Sequence, residues 1–146
     1  MSSYSFLDVS ASLTGPTGSI DLGCGSANSE EGITIAMGEV KNTMTIGADG
    51  EVMHSLNPGK FGTITVVLMK TSPVNKKLSL MYNAQSQSSA TWGNNVIVIR
   101  NKASGDIITA RSCAFQKQPD NANGKAGGTL SWVFDCGKID QLLGEF

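Results

Sequence analysis

The chain has 146 residues, of which only 16% are charged and 6% aromatic, with a formal net charge of −1. Charge is below the roughly 25% of ordinary soluble domains, and 17 glycines, 17 serines and many threonines and asparagines take its place. The length predicts one domain over residues 1–146; near neutrality argues against a dedicated nucleic-acid binder, no apolar run nears the ~18 residues of a membrane span, and MSSYSFLDVS lacks the basic start and apolar core of a secretory signal.

Alternation begins at once. Leu7, Val9, Ala11 and Leu13 alternate with Asp8, Ser10 and Ser12, the period of a half-buried strand. Gly15-Pro16-Thr17-Gly18 turns the chain, and Ile20 and Leu22 continue it as a short strand. Gly23 to Gly32 is glycine, serine and acid, which predicts a loop; Ile33, Ile35 and Met37 then mark another strand. Asn42 to Ile46 sets Thr43 and Thr45 on one face and Met44 and Ile46 on the other. Asp49-Gly50 is a two-residue hairpin signal, because such a turn needs positive φ. Glu51 to Leu56 returns, and Asn57-Pro58-Gly59 ends it. The segment 41–60 thus predicts a projecting, mostly polar β-hairpin arm.

Phe61 to Lys70 is the most apolar run and predicts a central strand. One helix follows over about 72–86. Thr71 or Ser72 can cap it and Pro73 suits its first turn. Val74, Leu78, Met81, Tyr82 and Gln85 share one face, with Lys76, Lys77 and Asn83 off it. Val96 to Arg100 and Asp106 to Lys117 are strands, the second with Ile107, Thr109, Arg111, Cys113 and Phe115 on one side. Pro119 to Gly128 is a polar loop. Leu130, Trp132, Phe134 and Cys136 alternate in a closing strand, and 140–146 reads as a tail. Eight or nine strands and one helix predict a mainly β fold, an antiparallel β-sandwich or flattened barrel with one flanking α-helix and the hairpin arm.

Catalytic and ligand motifs are missing. The single histidine, His54, has no second histidine for a zincin pair, and no G-x-S-x-G is present. Gly23 and Gly25 lack the third glycine and the following helix of a dinucleotide fingerprint. Asn123-Gly124-Lys125-Ala126 lacks the Ser/Thr and the earlier glycine of a phosphate loop. Glu30-Glu31 and Asp49 with Glu51 lack a calcium-loop pattern and read as a solvated acidic rim. Lys70, Lys76, Lys77, Arg100 and Lys102 lack interleaved aromatics and read as a solvated helix face, with a protein partner as the alternative. Cys24, Cys113 and Cys136 have no metal spacing; they read as reduced thiols, with Cys113 and Cys136 in the core. No enzyme, metal site or cofactor is expected.

Charge is unevenly divided. Residues 1–55 hold one base and seven acids, for −6; residues 56–146 hold ten bases and five acids, for +5. Such asymmetry points to a partner surface unless the halves interleave in space. A β-rich scaffold with a polar arm and uneven charge favours a protein that assembles with itself. A monomeric sugar-binding β-sandwich is the alternative, with Trp92 as its one exposed-looking platform.

The sequence resembles the tail tube proteins of contractile-tailed bacteriophages, in particular a Mu-like or prophage family. The resemblance rests on FLDVSASLTG (6–15), on NTMTIGADGEV (42–52), on KTSPVN (70–75) entering the helix, and on LSWVF (130–134) followed by Gly137. It implies hexameric rings stacked head to tail into a hollow tube around a tape-measure protein. A sheath would surround the tube, baseplate and tail-terminator proteins would bound it, and DNA would cross its lumen in transit. It implies a virion component made in the host cytoplasm, with no membrane partner. On the arm, Asp49, Glu51, His54 and Asn57 become candidates for ring-to-ring contact, with Thr43 and Thr45 on its polar face. Lys76 and Lys77 become candidates for sheath contact.

Overall fold

The computed structural model of the chain describes residues 2–23 and 28–145. Phe6–Asp8 is a 3-10 turn rather than strand, capped by Ser5 Oγ, which accepts from Leu7 N–H at 3.2 Å. Leu7 is therefore outside the alternation and 72% exposed. Strand β1 (Val9–Gly15) buries Val9, Ala11 and Leu13. Strand β2 (Gly18–Gly23) returns through Pro16-Thr17 and buries Ile20 and Leu22.

Strand β3 (Asn28–Met37) begins earlier than the glycine- and acid-rich composition predicts. It pairs with β6 (Gly62–Met69), and its register shifts between Asn28 and Ile33, where Gly32 adopts φ 58°. A bulge at a glycine lets a loop-like sequence stay on the sheet edge. Cys24 lies outside the described residues. Strands β4 (Asn42–Ile46) and β5 (Val52–Leu56) form a separate two-stranded sheet. The helix α1 (Val74–Gln85) and strands β7 (Asn95–Asn101), β8 (Asp106–Lys117) and β9 (Thr129–Leu142) follow. Residues 140–142, expected as tail, are the end of β9.

The large sheet has the order β2-β1-β7-β8-β9-β6-β3, with every pair of strands antiparallel. It curls into a half-barrel around one core, and α1 inserts Leu78 and Met81 into that core. Ser72 Oγ accepts from Val74 N–H at 3.3 Å, and Pro73 has helical dihedrals, so the start of α1 follows the Ser-Pro signal.

A bulge changes the face of β8. Ser112 has φ 53°, and the β7 pairing shifts register there, from Ile97↔Ala110 to Asn95↔Cys113. Ile108 and Ala110 point inward before it, Cys113 and Phe115 after it. Ile107, Thr109 and Arg111 therefore do not share a side with Cys113 and Phe115, contrary to simple alternation. β9 switches in step, burying Trp132, Phe134 and Cys136 and then Ile139.

Two polar devices pin the helix to the sheet. Trp132 Nε1–H donates to Asn75 Oδ1 at 3.0 Å, and Asn75 Nδ2 donates to Met69 O at 3.0 Å. Gln85 and Asn95 are fully buried and exchange amide hydrogen bonds of 2.7 and 2.9 Å. Gly15 makes room for that pair, since a Cβ there would meet Asn95 Oδ1 at 2.1 Å. Gln85→Leu orphans the buried Asn95 amide and should cost about 1–3 kcal/mol of stability in urea melts. A change under a few tenths would show that the amide pair contributes nothing.

Candidate assembly surfaces

The arm is built by β4 and β5, in register from Asn42↔Leu56 to Ile46↔Val52. Its tip is a three-residue loop with a bulge, not the two-residue turn that Asp49-Gly50 predicts. Gly50 N–H donates to Gly47 O at 3.0 Å, Gly47 N–H donates to Glu51 O at 2.8 Å, and Gly50 takes φ 87°. The signal for positive φ was correct and the loop length was not. Asp49 Oδ1 accepts from Glu51 N–H at 3.1 Å and holds the tip in shape.

The structure separates the residues singled out on the arm. Thr43 and Thr45 share a face with Ser55 and Met53. His54 lies on the other face with Asn42, Met44, Ile46, Val52 and Leu56, its Nδ1 3.2 Å from Asn42 Nδ2. Asp49 and Glu51 are at the tip. Asn57 is at the root, half-buried, and its Nδ2 donates to Val40 O at 2.8 Å and to Thr43 Oγ1 at 3.3 Å. It closes the base of the hairpin.

The arm is not mostly polar in what it shows. Met44, Ile46, Val52, Met53 and Leu56 are all exposed, Leu56 at 76%. Four of these five lie on the His54 face. A two-stranded hairpin with both edges open is marginal in water by itself, and contiguous exposed apolar side chains mark an interaction site.

The arm root is tied to β9. Ile139 N–H donates to Lys60 O at 2.8 Å, and Lys60 Nζ contacts Asp140 Oδ1 at 3.0 Å. The Lys60 hydrogen bond, with the nearby Lys138 and Arg111 charges, holds the Asp140 carboxyl below the usual aspartate range. A depressed folded value means the contact stabilises above the unfolded pKa and is lost as pH falls through the folded one. An NMR titration should place the Asp140 midpoint below that of a free aspartate, and Lys60→Ala should raise it; an unmoved midpoint would remove the Lys60 contact as the cause.

On α1, Lys76 and Lys77 are exposed. Lys77 borders a shallow hollow with Leu80, Ala84 and the Thr17–Ile20 turn. Lys70 is not free to join Lys76 and Lys77 in a patch, because its Nζ is engaged by Ala122 O at 2.6 Å and Asn123 Oδ1 at 2.5 Å and anchors the 119–128 loop.

The model of the family described as bacteriophage PhiTE tail tube protein matches residues 1–144. The chain belongs to that tail tube family. No curated protein matches the sequence. The fold of the tail tube protein is similar to three solved structures at low identity. The sheath/tube terminator of an extracellular contractile injection system in its extended state is 12% identical, with TM-score 0.59, over 97% of this chain and 98% of that one. A chain from the sheath-tube complex of such a system is 9% identical, with TM-score 0.53, over 91% and 88%. A chain of the anti-feeding prophage baseplate, 6-fold symmetrised, is 13% identical, with TM-score 0.51, over 97% and 96%.

The tail tube protein is a structural component and not an enzyme. Its Trp92 is half-buried rather than an open platform, packing edge-on to Tyr82 at 5.9 Å and against Phe115. Cys113 and Cys136 are free thiols facing each other across β8 and β9, 3.0 Å apart. The Cys113 S–H donates to Cys136 Sγ, and that bond together with burial pushes the Cys113 thiol well up, so it stays protonated. Among the described residues, no three His, Cys, Asp or Glu converge as metal ligands, and no helix is long and apolar enough to cross a membrane.

The acids on the arm were legible by residue type. Its apolar face was missed, although Met44 and Ile46 alternate visibly with the threonines. The Lys60, Arg111 and Lys138 group was also missed, because the Ser112 bulge hid the true face of Arg111.

Proposed function

We propose that six copies of the tail tube protein close into a ring, and that rings stack head to tail into the hollow inner tube of a contractile tail. The observation that carries this reading is the arm, two strands that among the described residues pair only with each other and whose apolar side chains lie exposed. In a stack, that face is covered by the next ring. Residues Asp49, Glu51, His54 and Asn57 make or shape the ring-to-ring contact, and Thr43 and Thr45 line the arm's polar face. The open edges β2 and β3 pair with neighbouring subunits, which removes the hazard of unpaired sheet edges.

Ring size six is supported by the tail tube resemblance and by the 6-fold baseplate that contains a similar fold. The sheath-tube and terminator structures support a sheath around the tube and a terminator at its end; in this reading the exposed Lys76 and Lys77 of α1 meet that sheath. A tape-measure protein fills the lumen during assembly, and a baseplate starts the tube. DNA then passes through the lumen. The serine- and threonine-rich alternation along the strands suits a wetted wall. A basic wall would hold phosphates instead. The protein is made in the host cytoplasm and resides in the virion.

Negative-stain electron microscopy of the purified protein at low and high concentration tests this. Rings or hollow tubes with a regular axial repeat are expected. Small particles at every concentration would overturn the reading.

A further inference from the structure

The outer face of β8 and β9 carries an unusual column of pairs. Ile107 opposes Leu142, Thr109 opposes Asp140, and Arg111 opposes Lys138. Ile107, Arg111, Lys138 and Leu142 are exposed. A shallow hollow lies at the apolar end, lined by Ile107, Thr109, Asp140 and Leu142. At the other end, two cations stand directly opposite each other, an arrangement that costs stability in a sheet unless an anion answers it. Lys60 adds a third cation, and Asp140 is the carboxylate among them. Its one ion pair is with Lys60; neither Arg111 nor Lys138 makes one among the described residues. The cluster keeps a formal excess of two positive charges.

The arm is the complement of this column. Its tip carries Asp49 and Glu51, neither in an ion pair among the described residues, and its exposed apolar pair Ile46–Val52 follows directly. Four residues separate the apolar and cationic ends of the column, about 14 Å of strand. Asp49 sits in the tip loop three residues past Ile46, the last residue of β4, and Glu51 directly precedes Val52, so the acidic tip and the apolar Ile46–Val52 pair are neighbours on the arm as the cationic and apolar ends are neighbours on the column. The uneven division of charge in the sequence, acidic up to Ser55 and basic beyond it, has the same sense.

We propose that the β8–β9 outer face at Ile107, Leu142, Arg111 and Lys138 is the receptor for the arm of a second copy of this chain. The acidic tip meets the cation pair and Ile46–Val52 covers Ile107–Leu142. The contact joins unlike patches, so it repeats head to tail instead of closing as a two-fold dimer. It rests on the tube reading and names the surface on which the arm lands.

Charge reversal tests the pairing. One variant carries Asp49→Lys with Glu51→Lys, a second carries Arg111→Glu with Lys138→Glu, and a third carries all four. All four positions are exposed, so circular dichroism melts should stay close to the parent's, and Glu51→Lys alone, which keeps the Asp49 Oδ1 bond to Glu51 N–H, controls for the loss of that tip contact in the Asp49→Lys variants. Each double variant should lose at least tenfold in tube length or pelletable polymer at low salt, and the quadruple variant should recover most of it. In a Cys24→Ser background, Ile46→Cys with Leu142→Cys should give disulfide-linked multimers on mild oxidation with oxidised glutathione. Parent tubes with unaffected double variants, or a quadruple variant that stays unassembled, would overturn the receptor assignment and leave the tube reading intact. Absence of rings and tubes from the parent would overturn both. Should a reversed variant fail to fold, the cysteine pair decides alone: monomers only would overturn the assignment.

Discussion

Replacing Phe115 by alanine lowers the free energy of unfolding by about 3–5 kcal/mol. The ring is 2% exposed and stands at the centre of the aromatic core. It meets Phe134 at 4.8 Å, Tyr82 at 5.5 Å, Trp132 at 5.9 Å and Trp92 at 6.5 Å. Those rings come from β9, α1 and the 86–94 loop, so they are held by separate elements and cannot all collapse into the space vacated. Two of the contacts are edge-on, the arrangement that adds to plain area burial. Phe115→Leu keeps most of the volume and should cost less than half as much. Urea melts of the protein at concentrations too low to assemble measure both. A loss below about 1 kcal/mol for Phe115→Ala would mean that the helix and sheet are joined elsewhere.

Much of this fold was legible because burial follows local period. Val9, Ala11 and Leu13 point inward on β1, and Leu78, Met81 and Gln85 point inward on α1, where the spacing placed them. The pairing order was not legible. β1 lies beside β7, and β6 beside β9, across long stretches of sequence. Local pattern carries no term for such long-range partners.

The failures share a physical cause. Alternation assumes an unbroken strand, and the bulge at Ser112 breaks it, so Arg111 lies on the outer face while Cys113 is in the core. The residues 28–32 look like loop, and they run on into β3 as a bulged stretch between the pairs Asn28↔Leu68 and Ile33↔Val66, long-range partners that local composition does not show. At the arm tip, Gly50 announced positive φ, but whether the loop has two residues or three depends on how the strands register. The candidate site suffered differently. Counting residue types made the arm polar, since Thr43, Thr45, Asp49 and Glu51 are conspicuous. A hairpin with no core behind it exposes both faces, so its apolar residues matter as much as its polar ones. That fact belongs to the architecture and not to the composition.

The second large effect concerns that apolar face. Ile46→Ser together with Val52→Ser should abolish tube formation while leaving the monomer's melt within about 0.5 kcal/mol of the parent. The two side chains are opposite each other and already exposed, so the folded monomer loses little when they become polar. Assembly is different. Covering each apolar side chain contributes about 1.5–3 kcal/mol, and a ring presents one arm per subunit, so the loss is repeated at every contact around it. Linked contacts of this kind fail together, because each holds its neighbours at high effective concentration. The opposite face supplies the control. Thr43→Ala with Thr45→Ala removes two hydroxyls, of which Thr43's accepts a long bond from Asn57 Nδ2 while Asn57 keeps its shorter bond to Val40 O, so the arm root holds and tubes should persist with at most a few-fold rise in the concentration needed. Sedimentation and electron microscopy read both pairs. If the threonine pair proved decisive and the Ile46–Val52 pair neutral, the arm would land on its polar face. The exposed apolar side chains would then have to be covered by something other than the next ring.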